Sequence, residues 1–388
     1  MGDRAVLGGF ARGWQEIDSI SPNNEDEKAR REAALTSLTE ELSSITNCES
    51  LVVLAGSGTS LGIVDNKGKR LAPSMGDLWT DVYMLQSFGK VEETLTPGPV
   101  ASKNLEHVLS DAQARLALDP VNTALSEFVS EAEGIIWTKC SFVDRNTDLV
   151  SHELFLRKVA RRSTRLQRAQ VFTTNYDLAF EAAAKNARFN VIDGFGFGGE
   201  TFDGGSFDLD YVQRRPHEPL TLDPSVFHLL KLHGSVNWNL EDEEVQKVCG
   251  SMKPDNPVLI YPSATKYQLS YQQPYLEFMS RFQMALRQPD VGLLVVGFGF
   301  NDDHLTAPIK AALRANIGLR AAFVSPGIRT SGASGTFKEI EQLIMKGDRR
   351  LTLLEATFDQ LVELLPDVPP REEREVHAER FSTPGRRP

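Results

Sequence analysis

Cysteine is scarce in this sequence: 388 residues hold three, Cys48, Cys140 and Cys249, far apart and without a Cys-x-x-Cys pair. Ligand count argues against a structural zinc ribbon, and the spacing fits reduced thiols in a cytoplasmic protein better than a disulfide framework. Long apolar runs are also missing, with no stretch near the roughly eighteen residues of a transmembrane helix, so no membrane span is expected. The opening MGDRAVLGGFARGW has no apolar run long enough for a signal peptide, and Val6 stands where N-myristoylation needs Ser or Thr. Positive charge is short: 42 Lys and Arg against 53 Asp and Glu leave a net charge of −11. Such a balance argues against a surface built to grip a phosphate backbone, and so against direct nucleic-acid binding. No clustered Asp/Glu metal site supports a nuclease, and no internal repeat recurs at a fixed period.

What is present is the composition of a folded α/β protein, 41% hydrophobic and 24% charged, which can fill a sizeable core. Glu25–Ile45 has helical spacing, with Ala33, Leu35, Leu38, Leu42 and Ile45 apolar among charges. Next, Ser50–Ala55 (SLVVLA) is a continuous apolar run ended by Gly56, as in a strand buried on both faces of a parallel sheet. Similar runs recur at 169–173, 227–232, 258–261, 291–296, 320–324 and 350–354, with helical stretches at 178–185, 275–287, 303–315 and 337–345. This alternation predicts an α/β fold with a Rossmann-like, mainly parallel sheet and helices on both faces. Residues 75–168 break the rhythm with helical patterns alone, and read as a helical insertion or small domain. The expected organisation is an N-terminal helical segment (1–49), a catalytic domain (50–365) and a Pro-, Glu- and Arg-rich disordered tail (366–388). Asp193–Asp210, with six glycines among aromatics, reads as a long loop or twisted hairpin that could line a site.

In open parallel sheets ligands gather at the carboxyl ends of the strands, so the residues that follow each apolar run are the candidates. After SLVVLA comes Gly56-Ser57-Gly58-Thr59-Ser60-Leu61-Gly62, a turn able to bring backbone amides to a phosphate. Its spacing is one residue longer than the dinucleotide fingerprint, and a plain strand-to-helix turn explains it equally well. The second edge is Thr173-Thr174-Asn175-Tyr176-Asp177, where Asn175 could orient a hydroxyl or a water, or cap a helix. At the third, LLKLHGS delivers His233 into a glycine turn, as a general base or as a histidine bonded to backbone. The fourth, Val296-Gly297-Phe298-Gly299-Phe300-Asn301-Asp302-Asp303-His304, reads as a glycine turn and an N-capped helix start. Its Asp-Asp-His run is no metal site, because adjacent helical positions point apart.

In this order the edges resemble the sirtuin superfamily, and more closely the sirtuin-like domains of bacterial defence proteins, many of which hydrolyse NAD rather than deacylate lysine. The similarity lies in AGSGTS (55–60), TTNYD (173–177), LLKLHGS (229–235), VLIYPS (258–263) and LLVVGFGFNDDHL (293–305), roughly residues 50–325. It implies that Gly56, Ser57, Gly58 and Ser60 line the dinucleotide phosphates, that Asn175 and Asp177 sit beside the nicotinamide ribose, and that His233 is the catalytic histidine. Gly297, Gly299 and Asn301 would meet the adenosine half. Unlike protein-deacylating sirtuins, this chain has neither four zinc cysteines nor a Pro-Asp-Phe-Arg stretch after the first glycine loop; the nearest carboxylates there are Asp65 and Asp77.

The resemblance therefore implies an NAD hydrolase, with NAD as substrate and no zinc, acting as effector of an antiphage abortive-infection system. By the same analogy it implies a homo-oligomer and a HerA-like ring ATPase as partner, contacted through the N-terminal helix or the basic stretch Arg157, Lys158, Arg161, Arg162, Arg165 and Arg168. The competing readings are a non-hydrolytic module that senses NAD or ADP-ribose, and an NAD-dependent protein deacylase.

Overall fold

The apolar run Ser50–Ala55 becomes the strand on which the sheet is centred. In the computed structural model, which describes residues 4–8, 13–18, 25–196, 201–248, 254, 256–259 and 273–366, fourteen strands appear among the described residues. They are β1 (Ala5–Gly8), β2 (Gln15–Glu16), β3 (Ser50–Ala55), β4 (Gln170–Thr173), β5 (Asn190–Ile192), β6 (Val212–Gln213), β7 (Thr221–Leu222), β8 (Val226–Lys231), β9 (Gly234–Glu241), β10 (Glu244–Lys247), β11 (Pro257–Leu259), β12 (Val291–Val296), β13 (Leu319–Val324) and β14 (Leu351–Glu355). Nine form one sheet in the order β2-β1-β14-β13-β12-β3-β4-β8-β5, parallel except at the β2-β1-β14 edge. The chain runs outward from β3 through β4 on one side and outward from β12 on the other, so the order reverses between β3 and β12. That is the switch point of a doubly wound, Rossmann-like sheet, where a crevice opens beyond the carboxyl ends of the strands.

Alternation along each strand feeds two cores. Leu51, Val53 and Ala55 of β3 face one cluster while Val52 and Leu54 face the other, and β12 divides the same way. The first face is covered by α1 (Glu25–Thr46), α7 (Val150–Val159), α8 (Ala179–Asn186) and α12 (Phe358–Leu364), and the second by α9 (Tyr275–Ala285), α10 (Asp303–Ala315) and α11 (Gly335–Met345). Helices on both faces explain why the central strands read as unbroken apolar runs rather than alternating ones. Between β3 and β4 the chain makes α2 (Met75–Tyr83), α3 (Gln86–Val91), α4 (Pro97–Ala101), α5 (Leu105–Leu118) and α6 (Thr123–Cys140), which enclose a third cluster around Trp79, Phe88 and Phe128. Among the described residues no helix is long and apolar enough to cross a membrane.

Four expectations are corrected. The N-terminal segment is not only helical: the short AVLG run is a strand whose Ala5, Val6 and Leu7 are fully buried and which adds antiparallel to β14. In α1 it is Ala34, not Ala33, that joins Leu38, Leu42 and Ile45 on the buried face. The run at 258–261 is no strand of the main sheet, because Pro257–Leu259 pairs antiparallel with β9 in a separate β10-β9-β11 sheet; Ile260–Ser263 lie outside the described residues. The basic stretch offers little of the contact surface expected of it, since α7 stops at Val159 and most of these charges turn inward. Lys158 donates to the Leu365 carbonyl (2.7 Å), Arg162 to the carbonyls of Cys48 and Gln167, and Arg168 pairs bidentately with Asp210. Burial lowers the Arg162 pKa to about 10. The tail, apart from Pro366, lies outside the described residues.

His152 on α7 is 1% exposed, its ring packed on Phe180 (5.2 Å between centroids) and Phe358 (4.8 Å), and its Nε2 has no hydrogen-bond partner among the described residues. Burial lowers its pKa to about 3. The unfolded chain takes up this proton near the ordinary value of about 6.5 while the folded protein does not, so stability falls as pH drops from 6.5 towards 3, by about 1.4 kcal/mol per unit. Between pH 7 and pH 5, urea unfolding should show wild type losing about 2 kcal/mol more than His152→Phe; equal losses would rule out a neutral buried imidazole.

Candidate active site

Register brings the functional segments into one line. Val296, Ala55, Thr173 and Lys231 are cross-strand partners at the carboxyl ends of β12, β3, β4 and β8, so the residues that follow each strand leave the sheet side by side. Hydrogen bonds carry the ladder one step further, from Gly56 N to Val296 O (2.9 Å), Thr174 N to Ala55 O (3.0 Å) and Leu232 N to Thr173 O (2.8 Å).

The turns after β3 and β12 then cross in direct backbone contact. Gly58 N donates to Gly297 O (3.0 Å), and a Cβ on Gly56 would lie 2.5 Å from Gly297 O, one on Gly58 2.6 Å from Gly297 Cα. Gly297 has φ +62°, and its own Cβ would meet Gly58 Cα at 2.7 Å. These glycines are required by the crossing of the two turns. The amides of Gly56 and Gly58 are committed within it, whereas Ser57, Gly297, Gly299 and Asn301 line the cleft, Ser57, Gly299 and Asn301 being exposed.

At the second edge Asn175 is buried, and its Nδ2 donates to Thr59 Oγ1 and Ser60 Oγ, both at 3.1 Å. That fixes the amide's orientation, and its Oδ1 is a buried acceptor without a hydrogen-bond partner among the described residues. Ser60 Oγ donates in turn to Asp177 Oδ2 (2.8 Å), whose Oδ1 accepts from the Ala179 amide at the start of α8 (3.0 Å). Burial raises the Asp177 pKa, opposed by the Lys231 ammonium. Lys231, itself 2% exposed, donates to the carbonyls of Tyr176 and Asp177 and to Glu181 Oε1 (2.9 Å). The Asn-Tyr-Asp turn is thereby held from both sides, and the Ser60 hydroxyl serves this turn.

At the third edge Gly234 has φ +91°, and a Cβ there would meet Val258 O at 2.1 Å, so only glycine lets the chain reverse from β8 into β9 with His233 at the bend. His233 Nε2 lies 2.9 Å from Asp302 Oδ2, both residues buried. Asp302 also caps α10, its Oδ1 accepting from the His304 amide at 2.9 Å.

All ten expected site residues fall in this region, and eight of them (all but Gly56 and Gly58, which lie in the crossing behind it) line a solvent-open cleft of about 820 Å³. Its opposite wall comes from the insertion and its flanking turns, with Met75, Leu78, Glu106, Cys140 and Phe142. Burial pushes the Cys140 thiol up to about 12. Neither Asp65 nor Asp77 lines the cleft: Asp65 organises its own turn, and Asp77 forms a capping box with Ser74 and pairs with Arg70. The described residues of the glycine-aromatic loop do not line it either. Phe202 and Phe207 pack edge-on against Phe278 of α9, and residues 197–200 lie outside the described residues. Among the described residues no three His, Cys, Asp or Glu side chains converge as metal ligands.

The fold and cleft define a doubly wound α/β protein with an open cleft at its switch point. Residues 169–328, from β4 past β13, match the family model of the SIR2-like domain. No curated protein matches the sequence. Solved structures that align with the chain include a Sir2 homologue in complex with NAD, at 14% identity over 88% of this chain and 94% of that one with a TM-score of 0.40. Two further Sir2-homologue structures carry ADP-ribose (13% identity, 84% and 99% covered, TM-score 0.38) and 2′-O-acetyl ADP-ribose (15%, 89% and 99%, TM-score 0.38).

Sequence reasoning missed Asp302, Lys231 and Glu106. Asp302 looked like a helix cap and is one, but a cap uses only one carboxylate oxygen. A lysine within the apolar run LLKLHGS was the visible sign of a buried charge needing partners. Nothing in sequence could place Glu106, which reaches the cleft by tertiary packing of the insertion.

Gly297→Ala should lower stability by about 2 kcal/mol or more, because the added methyl meets Gly58 backbone from a left-handed conformation. A denaturation midpoint unchanged from wild type would contradict the crossing of the two turns.

Proposed function

We propose that this protein cleaves NAD to nicotinamide and ADP-ribose with water as acceptor. The observation that carries the reading is Asn175 Oδ1, a buried carbonyl oxygen without a partner among the described residues, on a residue lining the same cleft as His233. A buried acceptor left unpaired costs about 1–3 kcal/mol, which a donor on a ligand or an ordered water would relieve. The match to the SIR2-like domain supplies the choice of NAD.

In this reading the bond between C1′ of the ribose and the nicotinamide nitrogen breaks through an oxocarbenium-like state, and the ring leaves neutral. Asn175 Oδ1 accepts a hydrogen bond from the ribose or the attacking water, and His233 takes the proton that water, or a ribose hydroxyl, releases. Water oxygen joins C1′, so one NAD and one water give nicotinamide, ADP-ribose and a proton. Ser57 and the exposed Gly299 and Asn301 meet the phosphates and the adenosine half.

Incubation with NAD should release nicotinamide at a rate that falls by at least about 100-fold in Asn175→Ala and in His233→Ala. Equal turnover in all three proteins would refute these roles, and tight NAD binding with no product from wild type would favour the sensing module instead.

The resemblance to defence proteins further supports a role as effector of an antiphage abortive-infection system, assembled as a homo-oligomer with a HerA-like ring ATPase. With the basic stretch largely turned inward, the outer face of α1 is the better contact candidate. Light scattering at micromolar concentration should return a mass above the 43.0 kDa of one chain; a strict monomer would count against assembly.

A further inference from the structure

We infer that Asp302 is a positioning residue for His233: its carboxylate holds the imidazole proton on Nε2 and so makes Nδ1 the basic nitrogen. This rests on the reading of His233 as the base. The geometry supporting it is separate, and consists of the 2.9 Å contact between His233 Nε2 and Asp302 Oδ2, with both side chains 6% exposed.

A carboxylate is an acceptor, so an imidazole in hydrogen-bond contact with it presents its N–H there and keeps its other nitrogen as the acceptor. The tautomer with its proton on Nδ1 would have no lone pair at the basic position. Asp302 is itself held, since its Oδ1 accepts from the His304 amide and its backbone carbonyl accepts from the Thr306 amide (2.9 Å) and hydroxyl (2.7 Å). It stands next to Asn301, which lines the cleft. The glycine turn after β12 thus reaches the ligand on one side of the 301–302 peptide and sets the base on the other.

Cap and orientation can be separated by substitution, because asparagine caps a helix as well as aspartate does. The test uses the full-length protein labelled with ¹⁵N-histidine, His233 being assigned by its loss in His233→Gln. Wild type should show a protonated Nε2 and an unprotonated Nδ1, and Asp302→Asn should lose that preference. Asp302→Asn should keep the wild-type melting temperature to within about 2 °C while kcat for nicotinamide release falls by about 10²–10⁴ and KM changes much less, as when a triad aspartate becomes asparagine. A proton on Nδ1 in wild type, or the same tautomer in Asp302→Asn, would overturn the inference, and so would a wild-type kcat in Asp302→Asn beside an inactive His233→Ala. If His233→Ala leaves turnover unchanged, the hydrolase assignment of His233 fails instead, and the tautomer alone still decides whether Asp302 sets the ring.

Discussion

The site depends on the crossing of two backbone turns at the centre of the sheet. Gly56 and Gly58 lie so close to Gly297 that a methyl on any of the three would meet main-chain atoms at 2.5–2.7 Å. Backbone has no rotamers with which to yield, so this contact admits one arrangement. It fixes Ser57 and Ser60 on one turn relative to Asn301 and Asp302 on the other, and aligned register at Val296, Ala55, Thr173 and Lys231 extends that order to the Asn175 turn and to His233. Glycines that look in sequence like a phosphate cradle serve first to let two strand ends approach, and the cleft is a consequence.

From the cleft inward runs a chain of polar groups, the buried Asn175, Ser60, Asp177 and Lys231 and the partly buried Glu181, each bonded to the next or to the backbone beside it. Burying a carboxylate and an ammonium is costly unless each is satisfied; here Asp177 accepts from Ser60 and the Ala179 amide, and Lys231 pairs with Glu181. Thr59 and Ser60 accept from the Asn175 nitrogen, which leaves only its oxygen unsatisfied. A network whose acceptor left unsatisfied among the described residues sits on a residue that lines a cleft concentrates its polar deficit where a ligand can relieve it.

Most of the sheet was legible because β3, β4, β8 and β12 to β14 are largely apolar runs buried on both faces, with most of their polar residues at the strand ends (Ser50, Gln170, Thr173, Lys231 and Glu355); Asp303–Ala315 was legible to the residue because its cap and period agree. The edge was not. AVLG is too short to separate from a loop, and its strand character comes from pairing with β14, which follows it by over 300 residues. The run at Val258–Tyr261 misled because apolar content does not tell a main-sheet strand from an antiparallel flap. At the site, Asn175 and His233 were visible as polar residues ending apolar strands. Ser60 and Asp302 were visible as residues but not as roles, since a hydroxyl beside a glycine and an aspartate before a helix each have a local use that hides the long-range one.

The insertion is tied to the chemistry although it separates the first glycine turn from the second edge in sequence. Trp137 of α6 donates its indole N–H to the Val236 carbonyl (2.7 Å), and the Val236 amide donates to the Tyr176 carbonyl (3.0 Å). Lys231 grips that same carbonyl from β8 at 3.3 Å. Val236 also packs in the insertion's own core, beside the partly buried Tyr176 and Leu178. The turn that carries Asn175 is therefore clamped between the sheet and the insertion, through one shared carbonyl and one shared cluster. A displacement of α6 would pull on Tyr176, and through it on the neighbouring Asn175, which lines the cleft. The helices that wall the cleft are in this way also part of what holds its polar floor in place.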